Sequence, residues 1–365
     1  MNRREILMGG GAGVVALGAG AALLGKRQMG STSAYEEEAK AARRALAAHP
    51  DARELVRYAT LAPSGHNTQP WRFAIEPGTI TIRPDFARRT PVVDPDDHHL
   101  FVSLGCAAEN LVLAAAARGI RGEASFDTAG DGAIQFRHQA GPTQPSPLFD
   151  AIPQRQSTRA DYDGRAVSPA DLKTLAAAAI VPGVDMVLVT DRPTIDRIRD
   201  LVLAGNGRQM DDPAFMRELK SWLRFNPRQA LDTGDGLYSA TTGNPVVPAW
   251  IGRPALDLLL TTKSENEKYA RQLKSSAGLT VFVGEKADRA HWVAVGRACQ
   301  RFALQATALG LKSAFINQPV EVAALRPDLA ALIGMPGRRP DLVMRFGYGS
   351  ALPYSPRRPV ADVMA

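Results

Sequence analysis

The sequence predicts a layered fold of helices and sheets, α+β or α/β, whose core is built twice in one chain. Two recurrences predict the doubling. Gly105-Cys106-Ala107 through Leu113 to Gly119-Ile120 returns 191 positions later as Gly296-Arg297-Ala298 through Leu304 to Gly310-Leu311. Arg53-Glu54-Leu55 with Ala59 and Ala62 returns 117 positions later as Ala170-Asp171-Leu172 with Ala176 and Ala179. The layers follow from a third observation, the alternation of these Ala-rich helical stretches with short apolar runs.

Composition fits a folded chain large enough to enclose a ligand. The chain has 365 residues, 45% hydrophobic and 22% charged, which excludes a disordered tail, a collagen-like fibre and a polytopic membrane protein. Its length suits about two domains, or one domain with a duplicated core. Two cysteines, Cys106 and Cys299, exclude a disulfide-dense scaffold and a four-thiolate metal site. The formal net charge is +7, part of it carried near the N-terminus by Arg3, Arg4, Lys26 and Arg27. The remaining excess is weak ground for nucleic-acid binding, and a phosphate-bearing small ligand suits it equally well.

Residues 1–34 read as an address. Asn2–Met8 form a charged start, Gly9–Gly25 an apolar stretch, and Lys26-Arg27 a basic end. Arg3-Arg4 followed by Ile6-Leu7 resembles the twin-arginine export signal, with Thr32-Ser33-Ala34 as a small-residue cleavage site before Tyr35. The expected localisation is therefore export to the periplasm or cell envelope through the twin-arginine machinery, with a membrane tether if the signal stays uncleaved. Gly9–Gly13 is not a dinucleotide fingerprint, because no strand precedes it and no acidic residue follows at the required distance.

The first copy is expected over residues 35–145. Its helix through Arg53–Ala62 leads to a strand at Trp71–Ile75, followed by strands at Thr79–Ile82 and Ile134–Arg137, with the Ala-rich helix ended by Gly119 between them. Pro-rich Gly141–Pro153 reads as the linker. The second copy, 150–365, carries strands at Met186–Val189, Thr280–Val283 and Leu342–Phe346 and a helix ended by Gly310. Because the offset grows from 117 to 191, this copy holds an insertion, expected at about 205–275.

Two segments carry polar chemistry. Ala62-Pro63-Ser64-Gly65-His66-Asn67-Thr68-Gln69-Pro70-Trp71 joins a helix end to a strand start. Its amides, hydroxyls and backbone donors suit one flat polar edge. Arg155-Gln156-Ser157-Thr158-Arg159 follows the linker, and its two arginines with a serine between them suit one phosphate. Arg357-Arg358 is placed to close the same pocket.

Together these residues resemble the nitroreductase family of FMN enzymes. Pro63, Ser64, Asn67, Gln69, Pro70 and Trp71 match that family's P-S-x-x-N-x-Q-P-W loop, which contacts the flavin from the partner subunit. Arg155, Ser157 and Arg159 match its R-x-S-x-R phosphate segment. Leu311–Asn317 is similar to the strand whose following turn lies beside the ring, and Phe346–Gly349 with Arg357-Arg358-Pro359 to the closing strand and basic tail. The departure is in the order. The loop lies in copy one and the arginine segment opens copy two, so each copy keeps one half-site.

The resemblance implies an α+β, nitroreductase-like, FMN-dependent fold, internally duplicated as a fused pseudo-dimer with an inserted lid, as in the Acg-like branch. It implies one FMN held by Pro63, Ser64, Gly65, His66, Asn67, Gln69, Arg155, Gln156, Ser157, Arg159, Ile316, Asn317, Arg357 and Arg358. Asn67, Gln69 and the backbone near Asn317 are expected at the ring, and Arg155, Ser157, Arg159 and Arg358 at the phosphate. The implied activity is NAD(P)H-dependent reduction of nitroaromatics or quinones, with no catalytic side chain because the chemistry belongs to the flavin. The alternative is a flavin-sequestering protein whose lid, centred on Trp222–Phe225, prevents turnover. Partners are expected to be small-molecule electron donors and acceptors and no nucleic acid, and the chain is expected to be a monomer. No metal is expected. His98 and His99 are adjacent on a helix and diverge, and Asp94 or Asp96 caps that helix among solvated neighbours. Cys106 and Cys299 are expected to be buried as small hydrophobes.

Overall fold

A computed structural model describes residues 29–365. Most of the expected export signal therefore lies outside the described residues. Its proposed cleavage site falls in the exposed first turn of α1 (Thr32–Ala42). Tyr35, the next residue, is buried against Tyr238.

Two antiparallel four-stranded sheets share one topology. The first contains β1 (Trp71–Glu76), β2 (Thr79–Pro84), β3 (Ile120–Asp127) and β4 (Ala133–Ala140), in the order β1-β2-β4-β3. The second contains β5 (Val184–Val189), β8 (Gly278–Gly284), β9 (Lys312–Phe315) and β10 (Leu342–Gly347), in the order β5-β8-β10-β9. Short strands β6 (Leu223–Arg224) and β7 (Leu237–Tyr238) form a separate parallel pair. A helix precedes each large sheet: α2 (Ala52–Ala59) the first and α4 (Pro169–Ala178) the second. A long helix joins the second and third strands of each: α3 (His98–Ala116) and α8 (Arg289–Ala308). Gly119 and Gly310, with φ of 72° and 75°, follow these helices in the left-handed region that glycine enters freely.

Helices α3 and α8 pack against each other, and their contacts are reciprocal. A Cβ on Gly105 would lie 2.1 Å from the Val293 carbonyl oxygen, and one on Gly296 would lie 2.0 Å from that of Val102. Gln300 Nε2 donates to Asn110 Oδ1 at 2.7 Å, and Arg301 donates to Glu109 Oε1 at 2.8 Å. All four residue pairs repeat, in reversed roles, at the spacing of 191 seen in the sequence. This is the contact pattern of a two-fold interface. Glu109 is buried and also accepts from Arg297 at 2.8 Å. Glu109→Ala is expected to lower stability by about 2 kcal/mol, below the roughly 3–5 kcal/mol of a fully buried pair because both arginines regain water. Urea denaturation measures it.

One core runs through both halves, joining Trp71, Phe73 and Phe136 of the first sheet to Phe282, Phe302 and Phe346. A second cluster covers the other face of the second sheet, with Ile195, Ile198 and Val202 over Val281 and Val343. It is roofed by α5 (Arg192–Met210) and α7 (Thr262–Lys274), between which α6 (Pro213–Ser221) also lies in the chain. The stretch expected at about 205–275 falls in this run. Asp191 caps α5, a single 19-residue helix that a boundary at residue 205 would split. The expected linker is also partly structured: Ser146 caps a helix at Pro147–Ala151, and Leu148, Phe149 and Ile152 are buried in the shared core. The C-terminal tail returns to the first half, where Ala365 N donates to Phe73 O at 2.8 Å.

Candidate functional site

The loop between α2 and β1 is the most strained backbone in the described chain. His66, Asn67 and Gln69 have φ of 46°, 54° and 53°, a conformation that costs non-glycine residues of order 1–3 kcal/mol each. The surroundings fix it. Gln69 N donates to Ser64 Oγ at 2.9 Å, and Asn67 Nδ2 donates to the carbonyls of Gly236 and Pro356 at 3.2 and 3.1 Å. Gln69 Nε2 donates to Gly234 O at 2.8 Å, while its Oε1 accepts from Arg358 N at 3.0 Å. Arg88 ties the loop's Thr68 carbonyl to Asp235. The loop is therefore fastened by residues 234–236 and by the C-terminal tail.

Behind this loop is a pocket of about 30 Å³ lined by Arg43, Arg155, Arg159, Arg357, Ser157 and Asn67, among others. Among the described residues, no carboxylate pairs with any of the four guanidinium groups. Nε of Arg43, Arg155 and Arg357 is buried without a partner. Burial lowers the pKa of all four, with Arg155 adding to the effect at Arg43, and Arg43 and Arg155 adding to it at Arg357. Such a cluster is short of one thing, an anion.

Pro63, Ser64, Arg159 and Leu237 also line a larger cavity of about 210 Å³. The first half contributes Gly65, His66, His99, Ser103 and Cys106, and the second contributes Phe315, Asn317, Gln318 and Glu321. The run from α5 to α7 supplies a wall of Met210, Phe215, Leu219, Leu260 and Tyr269. Glu218 fastens that wall by accepting from Val92 N and Val93 N at 2.9 and 3.0 Å.

His66 is half-buried, and desolvation of its ring, followed by Arg159 and His99, pulls it down to about 4. The unfolded chain holds that proton more tightly, at about 6.5. The stabilisation from neutral His66 is therefore complete above 6.5 and lost as pH falls toward 4. His66→Asn, which tolerates the left-handed backbone, is expected to flatten the pH dependence of unfolding between those values. A series of urea melts checks it.

The structure brings together most of the expected residues and turns three of them away. Pro63, Ser64, Gly65, His66, Arg159 and Asn317 line the cavity. Asn67, Arg155, Gln156, Ser157 and Arg357 line the arginine pocket. Asn67, expected beside a ring, thus lines the arginine pocket, with Oδ1 accepting from Arg357 at 2.9 Å. Gln69 lines neither space, because its amide is consumed in fixing the loop. Arg358 points away from the pocket, donating to Gln69 O at 3.2 Å and lying near Asp85. Ile316 is buried in the second cluster. Trp222 and Phe225 do not reach the cavity either. Arg88 and Arg224 pack over Trp222, and Phe225 is buried near Gly252.

Arg43, Gln318 and Glu321 had no motif to announce them, whereas Phe315 lies in the Leu311–Asn317 segment and His99 was weighed only as a metal ligand. Asp94 does cap α3, accepting from His99 N and Leu100 N at 3.0 Å. Its neighbours are not solvated, however. His98 is buried, its ring 4.5 Å from that of His99, and Asp94, His98 and His99 bring ligand atoms within 4.8 Å of one another. Both cysteines are buried, and Cys106 also borders the cavity.

The sequence profile described as "Nitroreductase family" matches residues 152–349. The chain belongs to the nitroreductase family. A Mycobacterium tuberculosis protein with the provisional name NAD(P)H nitroreductase is 28% identical over 333 residues, 86% of this chain and 92% of its own. Acg, from the same organism and with the same provisional name, is 25% identical over 333 residues, covering 85% and 94%. Among solved structures, the FMN-dependent nitroreductase NfnB of Mycobacterium smegmatis, in complex with NADPH, is 14% identical with a TM-score of 0.38. That alignment covers 56% of this chain and 88% of NfnB. A nitroreductase of Desulfitobacterium hafniense with bound FMN is 17% identical with a TM-score of 0.38, covering 59% of this chain and 94% of its own.

Proposed function

We propose that this nitroreductase-family chain is an FMN-dependent oxidoreductase that uses NAD(P)H to reduce nitroaromatics or quinones. One observation carries the reading: four guanidinium groups with no carboxylate converge on a pocket that shares its walls with a larger cavity. The residues fit a phosphate-bearing flavin. Arg155, Arg159 and Arg357 offer planar donor forks, and Ser157 offers a hydroxyl to a dianion. The larger cavity offers a flat ring a loop of exposed backbone at Ser64–Gly65 and the apolar face of Phe315. When bound, the flavin would accept a hydride from the nicotinamide and pass the electrons to the substrate. The protein's part is to orient the partners and to exclude water with the wall supplied by the run from α5 to α7.

The same wall favours a second reading, flavin sequestration. Met210, Phe215 and Leu219 cover the cavity, and a closed cover would keep nicotinamide from the roughly 3–3.5 Å approach that hydride transfer requires. An absorbance spectrum of the purified protein separates the readings. The reductase is yellow, bleaches with NADPH and turns over a nitroaromatic. The store is yellow and bleaches only with dithionite. A colourless protein overturns both.

Two further readings accompany this one. The matching sheet orders and the reciprocal α3–α8 contacts support a fused pseudo-dimer, so light scattering should return a single 39.1 kDa chain. Export by the twin-arginine route should be abolished when Arg3 and Arg4 are both replaced by Lys, read with a reporter fused to residues 1–34.

A further inference from the structure

The cavity carries both signs of charge. Arg159 joins it to the arginine pocket, the carboxyls of Glu265 and Glu321 also line it, and all three act on the Tyr269 hydroxyl. Arg159, shared with the arginine pocket, is the one arginine or lysine among the described lining residues. Two further cations stand outside the lining: Lys268 is 3.7 Å from Glu265, and Arg326 acts on Asp94. Asp94 and Glu218 lie close enough to Glu321 to act on it, and His99 faces it with its ring pushed below the usual range by burial. Gln209 Nε2 donates to Glu321 Oε2 at 2.6 Å, and burial raises the Glu321 carboxyl.

Gln318 is the independent observation. It is 7% exposed and lines the cavity, its amide is hydrogen-bonded to the Tyr269 hydroxyl, and its Oε1 is buried without a partner. A buried acceptor left unpaired costs about 1–3 kcal/mol, and only a donor relieves it.

We propose that the Gln318–Glu321 part of the cavity is the substrate subsite and selects aromatic substrates carrying a protonated nitrogen, an amine or amidine, over those carrying a carboxylate. The inference rests on the reductase reading above. An amidinium brings donors for Gln318 Oε1 and for the Glu321 carboxyl. A carboxylate brings none, leaves Gln318 unpaired and faces Glu265. Sites with buried polar groups discriminate strongly against ligands that leave those groups unpaired.

The test uses the full holoprotein and three non-reacting probes of one shape: benzamidine, benzamide and benzoate. Binding is read from the perturbation of the bound flavin's visible spectrum. Benzamidine is expected to bind at least tenfold more tightly than benzoate, with benzamide between them. Gln318→Leu and Glu321→Gln are each expected to reduce that preference at least threefold. Equal binding, a preference for benzoate, or a preference unchanged in both variants overturns the proposal, and would assign Gln318 Oε1 to the flavin ring itself. A colourless chain instead overturns the flavin reading. Calorimetric titration with the same three probes then still decides the selectivity, and absence of binding by all three overturns it.

Discussion

Arg155→Ala is expected to weaken FMN binding about 10- to 100-fold, the loss of one or two charge-assisted hydrogen bonds at about 1.5–3 kcal/mol. The same substitution is expected to leave the flavin-free protein no less stable, and this second result separates a ligand-binding arginine from a structural one. Arg155 Nη2 donates to Leu61 O at 2.9 Å, but Arg357 also donates to that carbonyl, at 3.1 Å. Removing Arg155 therefore orphans no acceptor. It does remove a buried charge that crowds Arg43 and Arg357 and finds no carboxylate to balance it. A buried cation retained at such a cost implies an anion that arrives later. Arg155→Lys should fall between, keeping the charge and losing the fork. Fluorescence titration with FMN gives the first quantity and urea denaturation of the flavin-free chain the second. A structural arginine would show the reverse, with unchanged affinity and lower stability.

How much of this was legible in the sequence follows from the periodicities involved. Helices α3 and α8 were readable because small residues recur at helical spacing and a glycine closes each. Strand β3 was not, although Ile120, Gly122, Ala124 and Phe126 alternate with Arg121, Glu123, Ser125 and Asp127 along a half-exposed edge. Alternation is itself a strand signal, but here it is weakened because two of its four inward positions are Gly122 and Ala124, which bury little. Facing direction was the harder matter. In extended chain, side chains alternate sides, so one residue of a motif can be right while its neighbour is wrong. Phe315 and Asn317 face the cavity, which sends Ile316 into the opposite cluster. Arg357 reaches Asn67 and the pocket, which leaves Arg358 to hold Gln69 from the far side. A pair of arginines in sequence does not say which one turns inward. The cavity wall drawn from residues 210–269 lies in the stretch that the sequence marks as surplus length, but its lining residues were not legible. Trp222 is the largest apolar side chain in its stretch, yet two arginines stack on it, and smaller Met210, Phe215 and Leu219 reach the cavity instead.

Gly296→Ala is expected to cost more than any single surface change, about 3 kcal/mol or more, at the upper end of what overpacking does. The added methyl would lie 2.0 Å from the Val102 carbonyl oxygen and 3.0 Å from Cys106 N, both backbone atoms of a facing helix. No rotamer change relieves such a clash, so α3 and α8 must separate. Alanine's better helix propensity returns only about 1 kcal/mol. Gly105→Ala should behave alike, because its methyl would meet Val293 O at 2.1 Å. Gly207→Ala in α5 is the matched control. Its methyl would find only Thr262 Cγ2, at 3.8 Å, so propensity alone acts and stability should rise by about 0.5–1 kcal/mol. Thermal melts of the three variants read the contrast directly. The damage should also reach the site. Cys106 borders the cavity, and its Sγ donates to Gly296 O at 3.1 Å, so pushing the helices apart shifts one wall of the proposed flavin cavity. Flavin affinity should therefore fall in both interface variants and hold in the control, tying the contact between the two halves to the ligand they are proposed to share.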